Sequence, residues 1–194
     1  MGDQLLWYTA RGAGAVSLVL LSAVVVLGLV VRGGVQPRSW PRFLGMALHN
    51  DLALLALAFL SLHIVTAVVD PFTHLGLTPV FIPFGSDYRT VWLGLGTIAF
   101  ELLLAIVLTS LLRRHFREGV WRAVHWLAYC CWPLAVLHEL GTGTDAFSVW
   151  LIGVTTVCFT AVAFAAITRW SSVRDPLAAR RRASAQRATA RGTR

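Results

Sequence analysis

Four of the chain's six histidines fall inside long apolar stretches, at spacings that suit chemistry. His49 and His63 stand fourteen residues apart on the stretch from Leu48 to Asp70. Fourteen residues are close to four helical turns, so the two imidazoles share one helix face about 21 Å apart along the axis. His125 and His138 stand thirteen apart on a second stretch, Val120 to Leu140. Neutral imidazole is a metal ligand, and burying it in hydrocarbon without a partner is costly. Two pairs at two matched depths can clasp two flat hexacoordinate groups, one above the other. The group that takes a histidine on each axial side of one iron is haem. The pairing this predicts is His49 with His125 and His63 with His138, as axial ligands of two haems.

Composition says what must hold these residues. Of 194 residues 57% are hydrophobic and 13% charged, and the mean hydropathy is +0.69. Several apolar runs reach the length of a membrane span, and they are continuous rather than alternating. The expected class is an all-α integral membrane protein of five transmembrane helices: 13–31, 43–69, 90–112, 119–140 and 147–170. Residues 1–12 read as a short amino-terminal segment whose Trp7 and Tyr8 suit an interface, with no removable signal peptide. Residues 171–194 read as a basic disordered cytoplasmic tail. Arginines cluster after the first, third and fifth spans, which places the amino terminus outside and the carboxyl terminus in the cytoplasm, and the expected location is the cell membrane, a bacterial cytoplasmic membrane. The loop at 70–89, with Pro71, Pro79, Pro83 and Gly85, either lies on the membrane surface or caps a pocket. The net charge of +8 sits at the membrane edges and in the tail, so nucleic acid is not an expected partner.

In this topology the second and fourth spans run the same way. His49 and His125 then lie near the cytoplasmic face, and His63 and His138 near the outer face. Thirteen residues miss a whole number of turns, so a straight fourth span would put His125 and His138 on different faces. Pro133 lies between them, and the expectation is a kink there that returns His138 to the second span. Ala53 and Ala56 are small residues facing between the ligands of the second span. Trp132 falls midway between His125 and His138 and is a candidate for a place between the haems, or for core packing. Haem propionates want arginine: Arg38, Arg42 and Arg122 stand near the inner pair, Arg89 near the outer pair. Glu101, an acid at mid-span, is expected to pair with a neighbouring helix or to carry protons. Cys130, Cys131 and Cys158 read as small buried hydrophobes, and His74 and His115 as solvated or interfacial.

The pattern His49-x13-His63 on one span and His125-x12-His138 on a later, parallel span resembles the ferric reductase-like transmembrane domain. That superfamily includes NADPH oxidases, ferric reductases and the haem-binding membrane subunit of bacterial methionine sulfoxide repair. The resemblance covers roughly 44–170. It implies two haem b groups that move single electrons across the membrane, with the four histidines as their axial ligands. The chain has no room for the soluble flavin- and NADPH-binding region of the eukaryotic enzymes. It also lacks a dinucleotide glycine motif. Asp70-Pro71-Phe72-Thr73 lacks the histidine of the family's flavin element. The donor is therefore expected to be a separate protein, a bound flavin or a membrane quinol. Two other readings stay open: a haem-binding membrane anchor or assembly subunit without net current, and a small transporter using Glu101 and the histidines for protons.

Overall fold

The structure is a computed structural model and describes residues 2–33, 42–71, 75–143 and 145–174. Among these residues every regular element is helical. In chain order they are α1 (Gly2–Gly33), α2 (Arg42–Val69), α3 (Thr78–Phe81), α4 (Thr90–Leu111), a 3₁₀ turn (Arg113–His115), α5 (Glu118–Trp126), α6 (Ala128–Thr142) and α7 (Val149–Arg174). Four helices are long and apolar enough to cross a membrane, over Gln4–Val31, Phe43–Val69, Thr90–Leu111 and Val149–Ser171. A helix satisfies its own backbone hydrogen bonds, which lipid cannot do. Many exposed side chains of these helices, such as Leu54, Val65, Val157 and Phe164, are apolar and suit contact with lipid.

Two elements differ from expectation. α1 begins at Gly2, well before Ala13. No proline interrupts residues 2–12, and the charge of Arg11 is met by carboxylates within the bundle. The expected fourth span is two helices. Leu127 ends α5 and opens α6, and its N–H bonds to Val124 O at 3.0 Å, an i→i−3 bond that tightens the winding. α6 then runs through Pro133 without interruption. The change of phase between His125 and His138 is thus made at Leu127 and not at Pro133.

α1 is the central strut. It packs along α2 on one side and along α7 and α6 on the other. The buried core joins Leu18, Val25 and Leu29 of α1 to Trp132 and Val136 of α6 and Ala165 of α7. α4 lies along α6. Among the described residues α2 packs closely against α1 alone, and it faces α6 across a cleft. α3 closes one mouth of that cleft: Pro79 and Val80 line it, and the Thr97 hydroxyl donates to Pro79 O at 2.6 Å. The loop before α4 therefore caps a pocket, one of the two roles expected of it.

Candidate functional site

The four histidines meet in two pairs. The ring centroids of His49 and His125 are 6.2 Å apart, with the rings inclined at 55°. Those of His63 and His138 are 6.3 Å apart, with the rings near perpendicular at 83°. The first pair lies at the end of the bundle that carries Arg113, Arg114, Arg117 and Arg122. The second lies at the opposite end, beside the first turns of α1 and α4.

Three of the imidazoles are held by one repeated arrangement. His49 Nδ1 bonds to Val24 O at 3.1 Å, and its ring lies against Gly28. His63 Nδ1 bonds to Ala10 O at 2.8 Å, and its ring lies against Gly14. His138 Nδ1 bonds to Trp92 O at 2.9 Å, and its ring lies against Gly96. In each case the carbonyl comes from the residue four before the glycine, so the ring crosses one helical turn of its neighbour at a point without a side chain. A Cβ on Gly14 would come within 2.9 Å of His63 Nδ1, and one on Gly96 would overlap the His138 ring. A carbonyl can only accept, so each of these Nδ1 atoms carries the proton and its Nε2 keeps a lone pair for a ligand. Thr142 Oγ1 adds a second contact to His138 Nδ1 at 3.2 Å. His125 is positioned differently. Its ring stacks on Trp121, with centroids 5.2 Å apart and planes 26° apart, and the Arg113 guanidinium lies 4.2 Å over the other partner of that stack, the Trp121 ring.

The spacing of each pair can be compared with one metal ion between two imidazoles. A metal–nitrogen bond of about 2 Å on each side, with about 1.1 Å from nitrogen to ring centre, separates the centroids by about 6.2 Å. Among the described residues no three His, Cys, Asp or Glu side chains gather at one point. Each pair therefore offers two donors, the number that a planar macrocycle leaves open on its metal. A cleft at the His63–His138 pair is partly open to the surroundings. Its walls are apolar, with Ala56, Leu60, Phe100 and Leu103 among them.

The other residues singled out in the sequence take these places. Ala56 is buried in the cleft wall, and Ala53 is half-buried on α2. Trp132 faces away from the cleft, toward α1 and α7: its indole N–H donates to Ser22 Oγ at 2.9 Å and its ring packs on Phe159. Cys131, seven residues before His138 and so on the same helix face, lines the cleft instead. Cys131 and Cys158 are buried, while Cys130 is exposed. Arg89 Nη1 donates to Gly141 O at 2.5 Å, and Arg122 pairs with Glu118 on its own helix. Glu101 is exposed near the middle of α4, and His115 is exposed in the 3₁₀ turn. Arg38, the Arg42 side chain, His74 and residues 175–194 lie outside the described residues.

Sequence reasoning missed three glycines and one ion cluster. Gly14 and Gly28 are fourteen apart, the same step as His49 and His63, and this mirrored spacing was the available signal. Arg11 of α1 meets Asp145, and its Nη2 lies 3.7 Å from the buried carboxylate of Glu139. It stands beside Ala10, whose carbonyl holds His63, so the cluster locks α1 to the end of α6 at the level of the His63–His138 pair. Breaking a buried pair by removing one partner strands the other charge. Arg11→Leu should lower stability by about 3 kcal/mol in denaturant titration of the detergent-solubilised protein, and the triple change Arg11→Leu, Glu139→Gln, Asp145→Asn should recover most of that loss. Compared with known proteins, the chain matches no family model, no curated sequence and no solved structure.

Proposed function

We propose that this chain is a di-haem b-type cytochrome that passes electrons across a membrane, in the manner of the ferric reductase-like domains it resembles. The observation that supports this reading most is the pair of ring separations, 6.2 and 6.3 Å, each close to the span of one iron with an imidazole on both sides. His49 and His125 would hold one haem, and His63 and His138 the other. Bound haem iron supplies one-electron redox chemistry, which no side chain present here can supply alone.

The chain's own residues then have defined tasks. The carbonyls of Val24, Ala10 and Trp92 fix three rings in the tautomer that offers Nε2. Gly14, Gly28 and Gly96 leave room for those rings. Apolar walls exclude water from the cleft and keep the dielectric low. α5 and α6 together, over 118–142, serve as a fifth crossing beside the four long helices. With five crossings the arginine-rich end, holding His49 and His125, faces the cytoplasm, the amino terminus lies outside and the carboxyl terminus inside. A separate flavoprotein or a membrane quinol serves as donor. Of the arginines considered for propionates, Arg122 stands one turn from His125, Arg89 stands by the His138 end, and Arg11 joins them at the outer level.

The test is haem stoichiometry by pyridine haemochrome, with visible spectra, on protein made with ample haem. Wild type should hold two haem b per chain with low-spin bis-histidine bands. His63→Ala and His125→Ala should each fall to about one haem per chain. Haem-free wild-type protein would end the proposal.

A further inference from the structure

The two imidazole pairs differ in angle. The rings of His63 and His138 stand near perpendicular, at 83°, and those of His49 and His125 at 55°. His49, His63 and His138 are each held by a carbonyl of a neighbouring helix. What lies flat against the His125 ring is an indole. Trp121 stands one turn earlier on α5, at the i,i+4 separation that brings side chains together on one helix face. Its ring centroid is 5.2 Å from that of His125 and the planes are 26° from parallel, an offset stack. The indole is itself held from outside α5. Its Nε1–H donates to Ser110 Oγ, in the last turn of α4, at 3.3 Å. The Arg113 guanidinium, in the 3₁₀ turn that follows α4, lies 4.2 Å over its ring, a cation–π contact. Hydrogen bond and cation together fix the indole, and its face is the surface that His125 lies on.

We propose that Trp121 is a positioning residue for His125: the pinned indole sets the plane of that imidazole, and so the angle at which the His49–His125 pair presents its two rings to a haem. This role rests on the di-haem reading for the group that the pair holds. The angle between two axial imidazole planes governs how the iron d orbitals split, because each ring's π system overlaps the d orbital perpendicular to its own plane. Pairs held at 55° and 83° are therefore two electronically distinct sites. Turning His125 alone changes one of them and leaves the other as it is. Ser110 and Arg113 belong to the end of α4 and the turn after it, so the angle is set by how α4 meets α5 and not within α5 alone.

The test uses the full chain in detergent, as wild type, Trp121→Leu and Trp121→Phe. Loss of one aromatic pair should weaken haem binding by about tenfold at most, so the site stays loaded in excess haem. Low-temperature electron paramagnetic resonance of the ferric protein should show two low-spin signals, one of which His125→Ala abolishes. Trp121→Leu should shift that signal and leave the other in place. Trp121→Phe, which keeps an aromatic face under the imidazole, should stay close to wild type. Both signals unmoved by Trp121→Leu, or both moved alike, would overturn the proposal. The same variants, haem-free and isotope-labelled in the histidine rings, separate this role from the haem reading. The indole ring current should shield the His125 ring proton in magnetic resonance, and Trp121→Leu should move that resonance downfield while those of His63 and His138 stay. Wild type that binds no haem but keeps this shielding would end the cytochrome reading and leave the positioning of His125 standing. A His125 resonance that Trp121→Leu does not move would end the positioning role.

Discussion

Replacing His125 with leucine should slow electron flow through a sealed vesicle by roughly a hundredfold or more, while one haem remains bound. The reason is distance. His49 and His63 are fourteen residues apart on one continuous helix, about 21 Å along its axis. On the proposed arrangement a single remaining cofactor, at the His63–His138 pair, would leave most of the membrane uncrossed. The measurement is reduction of trapped ferricyanide by external dithionite in vesicles carrying the haem-loaded protein. The His63→Ala variant should fail equally, because each site is a stepping stone without which the other is stranded. If wild-type vesicles carry no current although both haems are present, the chain is an anchor rather than a conductor.

The second large effect concerns glycines that carry no chemistry of their own. Gly96→Ala should cost about 2–3 kcal/mol and empty the proposed His63–His138 site, because the new Cβ would occupy the place of the His138 ring. Gly14→Ala should be milder, since its Cβ would approach His63 Nδ1 at 2.9 Å, a tight contact at the edge of the ring. Gly28→Ala should be nearly neutral, with the nearest atom, His49 Cε1, at an ordinary 3.5 Å. The order Gly96, Gly14, Gly28 is what thermal melts and haem content in parallel should return. An equal gain at all three positions, as alanine's higher helix propensity alone would give, would mean that ring clearance does not set the effect.

Much of this architecture was legible in the sequence, for stated reasons. The fourteen-residue step between His49 and His63 is readable because an unbroken apolar helix keeps its phase. The four long helices follow from apolar length alone. The phase problem between His125 and His138 was also readable, but its solution was not. Proline is the residue known to disturb a helix, so Pro133 drew attention, whereas the break falls at Leu127, a residue with no local breaking tendency. Trp132 was placed by depth alone. Its angle, six residues from His138, turns it toward Ser22 and Phe159, and its neighbour Cys131 takes the cleft. The place of Arg11 was not legible because its partners, Glu139 and Asp145, are more than a hundred residues away in sequence, and such a pair leaves no periodic trace.

The isolation of α2 bears on how the molecule is put together. Among the described residues α2 leans on α1 and on little else, while its two imidazoles meet those of His125 and His138 from the other half of the bundle. A group held from both sides would act as a mortise pin between the α1–α2 hairpin and the α4–α6 unit. Any ligand that binds the assembled form and not the open one stabilises assembly in proportion to the logarithm of its concentration over its dissociation constant. Haem supply in the cell would then govern not only whether the protein works but how much of it survives surveillance by membrane proteases.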